Sequence, residues 1–117
     1  MLEVLRVKYI IWAADMNRAL DFYENALGAK ITKRSEVISE IDIAGSVIGV
    51  HGGGEGKRTW TGMSFQIDDV VKGAEIVQNA GGRLTRPIES DSDDEPPHLA
   101  MVMDTENNEF MLTRARG

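Results

Sequence analysis

The chain has 117 residues, 42% of them hydrophobic, with a formal charge of -6. That is enough apolar material for one folded domain with a real core, and it argues against disorder. The acidic balance argues against a nucleic-acid partner. No apolar run nears the roughly 20 residues that cross a bilayer, so no membrane role is expected. There are no cysteines, which excludes disulfides, thiolate nucleophiles and thiolate zinc sites. The N-terminal "MLEVLRVKY" lacks a signal-peptide pattern, and a cytoplasmic location is expected.

In chain order, "VKYIIWAADM" (residues 7–16) reads as a buried strand, predicted over 4–13, running into a helix. Lys8 is the misfit in this apolar row. Residues 15–28, "DMNRALDFYENALG", carry a helix predicted over 16–26. Asp15 is placed to cap it, Met16, Ala19, Leu20 and Tyr23 fall at helical spacing, and Gly28 ends it. Strands are predicted over 29–35, 37–43 and 46–51. "HGGGEGKRT" (51–59) tempts a phosphate-loop reading, but His51 stands where the first Gly is needed and Arg58 where Ser or Thr is needed. It reads as a flexible linker over 52–59.

The remainder repeats the same order: a strand over 60–67, a helix over 70–80, then strands over 83–88, 98–103 and 108–114. "DVVKGAEIVQNAGG" (69–82) matches the first helix, with Asp69 lying 54 residues after Asp15 and Asn79 after Asn25. "KYIIWAAD" lies over "GMSFQIDD" at the same offset, and "DIAGSVIGV" over "DTENNEFML" at 62. The longer offset places a net insertion in the second copy, in the acidic run "ESDSDDEPPH". That run reads as a solvated loop, because it lacks the Gly and distal Glu of a calcium loop. The fold class is therefore α+β: two tandem βαβββ modules, about 4–51 and 60–114, forming a curved mixed sheet around a cavity with the helices outside.

This pattern resembles the vicinal oxygen chelate superfamily, which includes glyoxalase I, extradiol dioxygenases, and fosfomycin- and bleomycin-resistance proteins. "AADMNRALDFYENALGAKIT" is similar to its N-terminal signature, "IDDVVKGAEIVQNAGGRL" to the matching second half, and "MDTENNEFML" to its final turn and strand. The resemblance implies a single domain of that kind over 1–117. It also implies a metal held by a His early in each first strand and a Glu late in each last strand. Those four positions fall here on Lys8, Gly62, Gly49 and Met111. An ammonium has no lone pair, glycine has no side chain, and a thioether is a soft donor. No metal and no cofactor are therefore expected.

Alternation along the strands puts a row of side chains on the cavity face: Lys8, Ile10 and Trp12; Gly62, Ser64 and Gln66; Gly49 and His51; Glu109, Met111 and Thr113. A shifted metal site on His51 and Glu109 would have two ligands, too few for a good site. Lys8 reads either as a lysine snorkelling to water or as a cation that meets a guest. Trp12 reads as core or as a stacking platform, and His51 as a strand-end residue or a general base. Glu109 reads as a partner for Lys8 or as a polar strand residue. His98 reads as lying at a strand entrance, Met101 and Met103 as packing residues, and Trp60 as packing across the linker or at a subunit contact. The expected function is metal-independent binding of a small molecule, sequestering or protective, by a homodimer. The alternatives are a metal-free lyase or isomerase using Lys8, His51 or Glu109 as acid or base, and an interaction protein with a vestigial cavity.

Overall fold

A computed structural model describes residues 1–115; the last two residues of the expected single-domain span lie outside the described residues. The first half runs β1 (Tyr9–Trp12), α1 (Met16–Leu27), β2 (Lys30–Lys33), β3 (Ile38–Ile43) and β4 (Ser46–His51). The second runs β5 (Thr59–Gln66), α2 (Val70–Asn79), β6 (Arg83–Leu84), β7 (Leu99–Met103) and β8 (Asn108–Thr113). The strands form two four-stranded mixed sheets, ordered β1-β4-β3-β2 and β5-β8-β7-β6. In each, the first strand of the module runs parallel to the last, and the remaining pairs are antiparallel. The fold is thus a tandem βαβββ pair, without a closed barrel.

Both helices start as their sequences dictate. Asp15 is extended and its carboxylate accepts from the Arg18 amide, while Asp69 accepts from the amides of Val71 and Lys72. Gly28 closes α1 in the left-handed conformation at φ 63°, which costs an L side chain energy. Helix α1 buries Met16, Ala19, Leu20, Phe22 and Tyr23, and α2 buries Val70, Ala74 and Val77. These meet the inward rows Ile11, Ile41, Ile43, Ile48 and Val50 of one sheet and Met63, Ala100, Val102, Phe110 and Leu112 of the other. One continuous core results. Phe110 on β8 has ring contacts with Phe22 and Tyr23 of α1 and with Phe65 of β5, so it belongs to both halves.

Most boundaries fall within two residues of expectation, and two differ by more. The strand expected over 4–13 is confined to β1, and residues 1–8 lie outside any sheet with Leu2, Val4, Leu5 and Val7 exposed. Their apolar pattern is real, but no neighbouring strand offers them a ladder. The strand expected over 83–88 stops at Leu84, because Pro87 and the acidic run that follows cannot extend the pairing with β7.

Candidate functional site

Because α1 and α2 cover one face of the sheets, the alternate residues of each strand emerge on the opposite, helix-free face. On the first sheet the pairings Ile10↔Gly49, Trp12↔His51, Glu40↔Gly49 and Ile38↔His51 put these side chains in adjacent rows. Ile10 and Trp12 are exposed, whereas Ile11 between them is buried. Gly49 is covered: a Cβ there would lie 2.6 Å from Ile10 Cδ1 and 3.6 Å from Ile38 Cδ1. The two isoleucines occupy the space into which a longer residue at Gly49 would project.

Lys8 joins this face through Glu40. Its Nζ lies 3.1 Å from Glu40 Oε2, and Arg6 reaches Oε1 at 2.7 Å. Hydrogen bonds from Arg6 and then Lys8 hold the Glu40 carboxyl below its ordinary range. Of the two readings of Glu109, pairing with Lys8 does not occur: Lys8 precedes β1 of the first sheet, Glu109 lies on β8 of the second, and each has another partner. His51 stacks on Trp12 with ring centroids 4.1 Å apart and an interplanar angle of 32°. Its Nδ1 lies 2.7 Å from the Gly52 carbonyl oxygen, so Nδ1 carries the proton and, in the neutral ring, Nε2 keeps the lone pair.

On the second sheet the β5–β8 register slips between Trp60 and Ser64: four residues of β5 span two of β8. The slip is even, so alternation survives. Thr61 and Met63 stay buried while Gly62, Ser64 and Gln66 remain on the open face. Thr61 Oγ1 donates to the Glu109 carbonyl and accepts from the Met63 amide, satisfying the bulge. Gly62 sits there at φ 75°, a conformation that disfavours any side chain, with open space beyond it. Ser64 Oγ lies 2.9 Å from Thr113 Oγ1, and Met111 faces Met101 across the β7–β8 ladder. The Glu109 carboxylate accepts from Arg58 at 2.7 Å. Burial would raise its pKa, but hydrogen bonds from Thr85 and Arg58 outweigh that and hold it below the ordinary value. Trp60 is half exposed on the same face, paired in register with Glu109.

His98 lies just before β7, as expected of a strand entrance, but it is buried. Arg114 approaches its Nε2 at 3.0 Å, and its Nδ1 lies 3.1 Å from Asp91 Oδ2. The acidic insertion thus walls a pocket of about 390 Å³ beside Leu99 and Met101. Both helix-free faces are open in the single chain, with Trp12, Ser64 and Gln66 all exposed.

A family model of the glyoxalase/bleomycin resistance protein/dioxygenase superfamily matches residues 6–115. The chain belongs to this superfamily. Among solved structures, the fosfomycin resistance protein FosX from Listeria monocytogenes is similar at a TM-score of 0.79 and 22% identity, over 99% of this chain and 96% of that one. The same protein complexed with manganese(II) and sulfate matches at 0.77 and 23%, over 99% and 93%. A superfamily enzyme from Burkholderia phytofirmans PsJN matches at 0.74 and 19%, over 93% and 97%. These likenesses speak to the fold. No curated protein matches the chain.

The superfamily's metal does not fit the groups present. Where the resemblance places ligands, this superfamily member has an ion-paired ammonium at Lys8, a glycine at Gly49 roofed by Ile10, a glycine at Gly62 in a left-handed bulge, and a thioether at Met111. Among the described residues no three His, Asp or Glu side chains converge to hold an ion. Sequence reasoning placed the strand faces but missed Arg6 and Glu40 at the first sheet and Arg58 at the second. Glu40 was within reach: the Ala44–Gly45 hairpin sets the register that puts it opposite Gly49.

Proposed function

We propose that this superfamily member binds a small organic molecule without a metal, using the helix-free faces of its two sheets. The observation that carries the reading is the first-sheet site: Ile10 fills the space over Gly49, and Lys8 is committed to Glu40. What remains is an aromatic platform at Trp12 and His51, a flexible methionine pair at Met101 and Met111, and hydrogen-bonding groups at Ser64, Gln66 and Thr113. Such a mixture of apolar area and a few placed polar groups suits an organic guest. In the cell the protein acts as a homodimer in the cytoplasm, binding and sequestering its guest. A second copy would cover the open faces and the apolar side chains of residues 1–7.

The test is metal titration beside ligand screening. Purified protein dialysed against manganese(II), zinc(II) or nickel(II) is expected to retain no stoichiometric metal. Members of a metabolite and drug library should raise its melting temperature, since a guest that prefers the folded state stabilises it. One tightly held equivalent of metal would overturn the proposal. A metal-free lyase or isomerase is the second reading, favoured by the unprotonated Nε2 of neutral His51. Under it, His51→Ala would abolish turnover while leaving ligand binding nearly intact; Lys8 and Glu109, both in ion pairs, would contribute less.

A further inference from the structure

The register Trp60↔Glu109, Glu109↔Met103, Met103↔Arg83 draws one row across the open face of the second sheet. At its outer end lies a pocket of about 270 Å³, lined by Arg58, Arg83, Leu84, Thr85, Met103 and Asn107. Among the described residues lining it, the charged ones are the two arginines, of which Arg58 is paired with Glu109. Those two positive charges run against the balance of the chain, whose formal charge is -6. The neighbouring acidic residues Glu89 and Asp91 line the separate pocket over His98.

Each arginine is held in place by one contact. An amino nitrogen of Arg58 donates to Glu109 Oε2 at 2.7 Å, and one of Arg83 donates to Asn107 Oδ1 at 2.9 Å. Asn107 is itself fixed, donating through Nδ2 to the Gly56 carbonyl. A guanidinium has five N–H donors in a planar fork. Anchored by one, each fork can still present others to a guest. Two forks match the several oxygens of a carboxylate or phosphate group better than they match a neutral or cationic one.

We infer that the Arg58–Arg83 pocket is an oxyanion site. It takes the carboxylate or phosphate end of an amphipathic organic anion whose apolar body lies along Met103, Met101 and Met111. The position of the body rests on the ligand-binding reading above; the anion pocket itself does not. Glu109 has a positioning role: it holds the Arg58 fork at the pocket mouth.

Isothermal titration of the full chain with inorganic phosphate, acetate and octanoate, at matched ionic strength, tests this. Phosphate and acetate should bind saturably to one site, and octanoate more tightly than acetate. Arg83→Gln should weaken all three at least tenfold. Arg83→Lys, which keeps the charge but loses the fork, should fall between. Arg34→Gln, a surface change elsewhere, should have no effect. Binding no tighter than that of chloride, or unchanged in Arg83→Gln with its fold intact by circular dichroism, overturns the site. Equal affinity for octanoate and acetate overturns the apolar extension alone. Failure of the metal-free reading would appear instead in metal content, which these titrations do not touch.

Discussion

The two modules share one element order but are not held in the same way. In the second, the β7–β8 turn reaches across to the first. Glu106 accepts the Asp15 amide at 2.8 Å and Arg18 Nε at 2.8 Å, so it caps α1 from outside its own module. Beside it, buried Asp104 accepts from Tyr23 of α1 at 2.6 Å and from Asn108. The equivalent turn of the first module, Ala44–Gly45, is a two-residue hairpin with both residues at positive φ, stabilised by Asp42 accepting the Gly45 amide. The start of α2 accordingly depends on Asp69 alone among the capping contacts described. An internal repeat therefore conserves topology while one copy takes over the contacts that join the pair.

That asymmetry should be measurable by chemical denaturation. The largest effect is expected at Phe110, which touches rings of both modules. Phe110→Ala should cost about 3–5 kcal/mol, whereas its repeat counterpart Ile48→Ala should fall toward the low end of about 2–5 kcal/mol. Equal costs would show that Phe110 does not bridge the halves. Next, Tyr23→Phe leaves the Asp104 carboxylate short of a buried donor and should lose about 1–3 kcal/mol.

Glu106→Gln should cost somewhat less, about 1–2 kcal/mol, because its partner Arg18 is half exposed to water. Its pH signature is more telling. Burial alone would raise the Glu106 carboxyl, but hydrogen bonds from Arg18, the Asp15 amide and Thr105 leave it below its ordinary value of 4.5. A carboxyl depressed by folding stabilises fully above that ordinary value and loses its contribution as pH falls through the folded one. Urea unfolding between neutral pH and pH 3 should therefore show a shallower acid decline in Glu106→Gln than in the parent. Asp104 has the opposite sign, since burial raises it: its contribution diminishes as pH rises through its folded value. An unchanged slope in Glu106→Gln would remove Glu106 from the junction. The smallest difference is at the helix caps. Asp69→Ala should cost about 1 kcal/mol, and Asp15→Ala less, because Glu106 still secures the start of α1.

Much of this fold was legible because its signals are local. Asp15 and Asp69, the apolar spacing behind them, and Gly28 each act within a turn of helix. Strand alternation likewise placed Ile10 and Trp12 on the helix-free face of the first sheet and Ser64, Gln66 and Thr113 on that of the second, and an even slip at Gly62 preserved that parity. The partners on that face were less legible. Lys8 meets Glu40 across 32 residues of chain, and Arg58 meets Glu109 across 51. The N-terminal run reads as strand by composition, yet a strand needs a neighbour to pair with.

By itself the sequence determined the tandem repeat, the helices and their caps, and the faces of the strands. These follow from periodicity and side-chain chemistry, which every residue carries with it. The tertiary structure decided which charges pair, that Ile10 roofs Gly49, that one turn clamps both modules, and that Arg58 and Arg83 share a pocket. Such pairings depend on distances between segments far apart in the chain, and those distances exist only once the two sheets have packed around their common core.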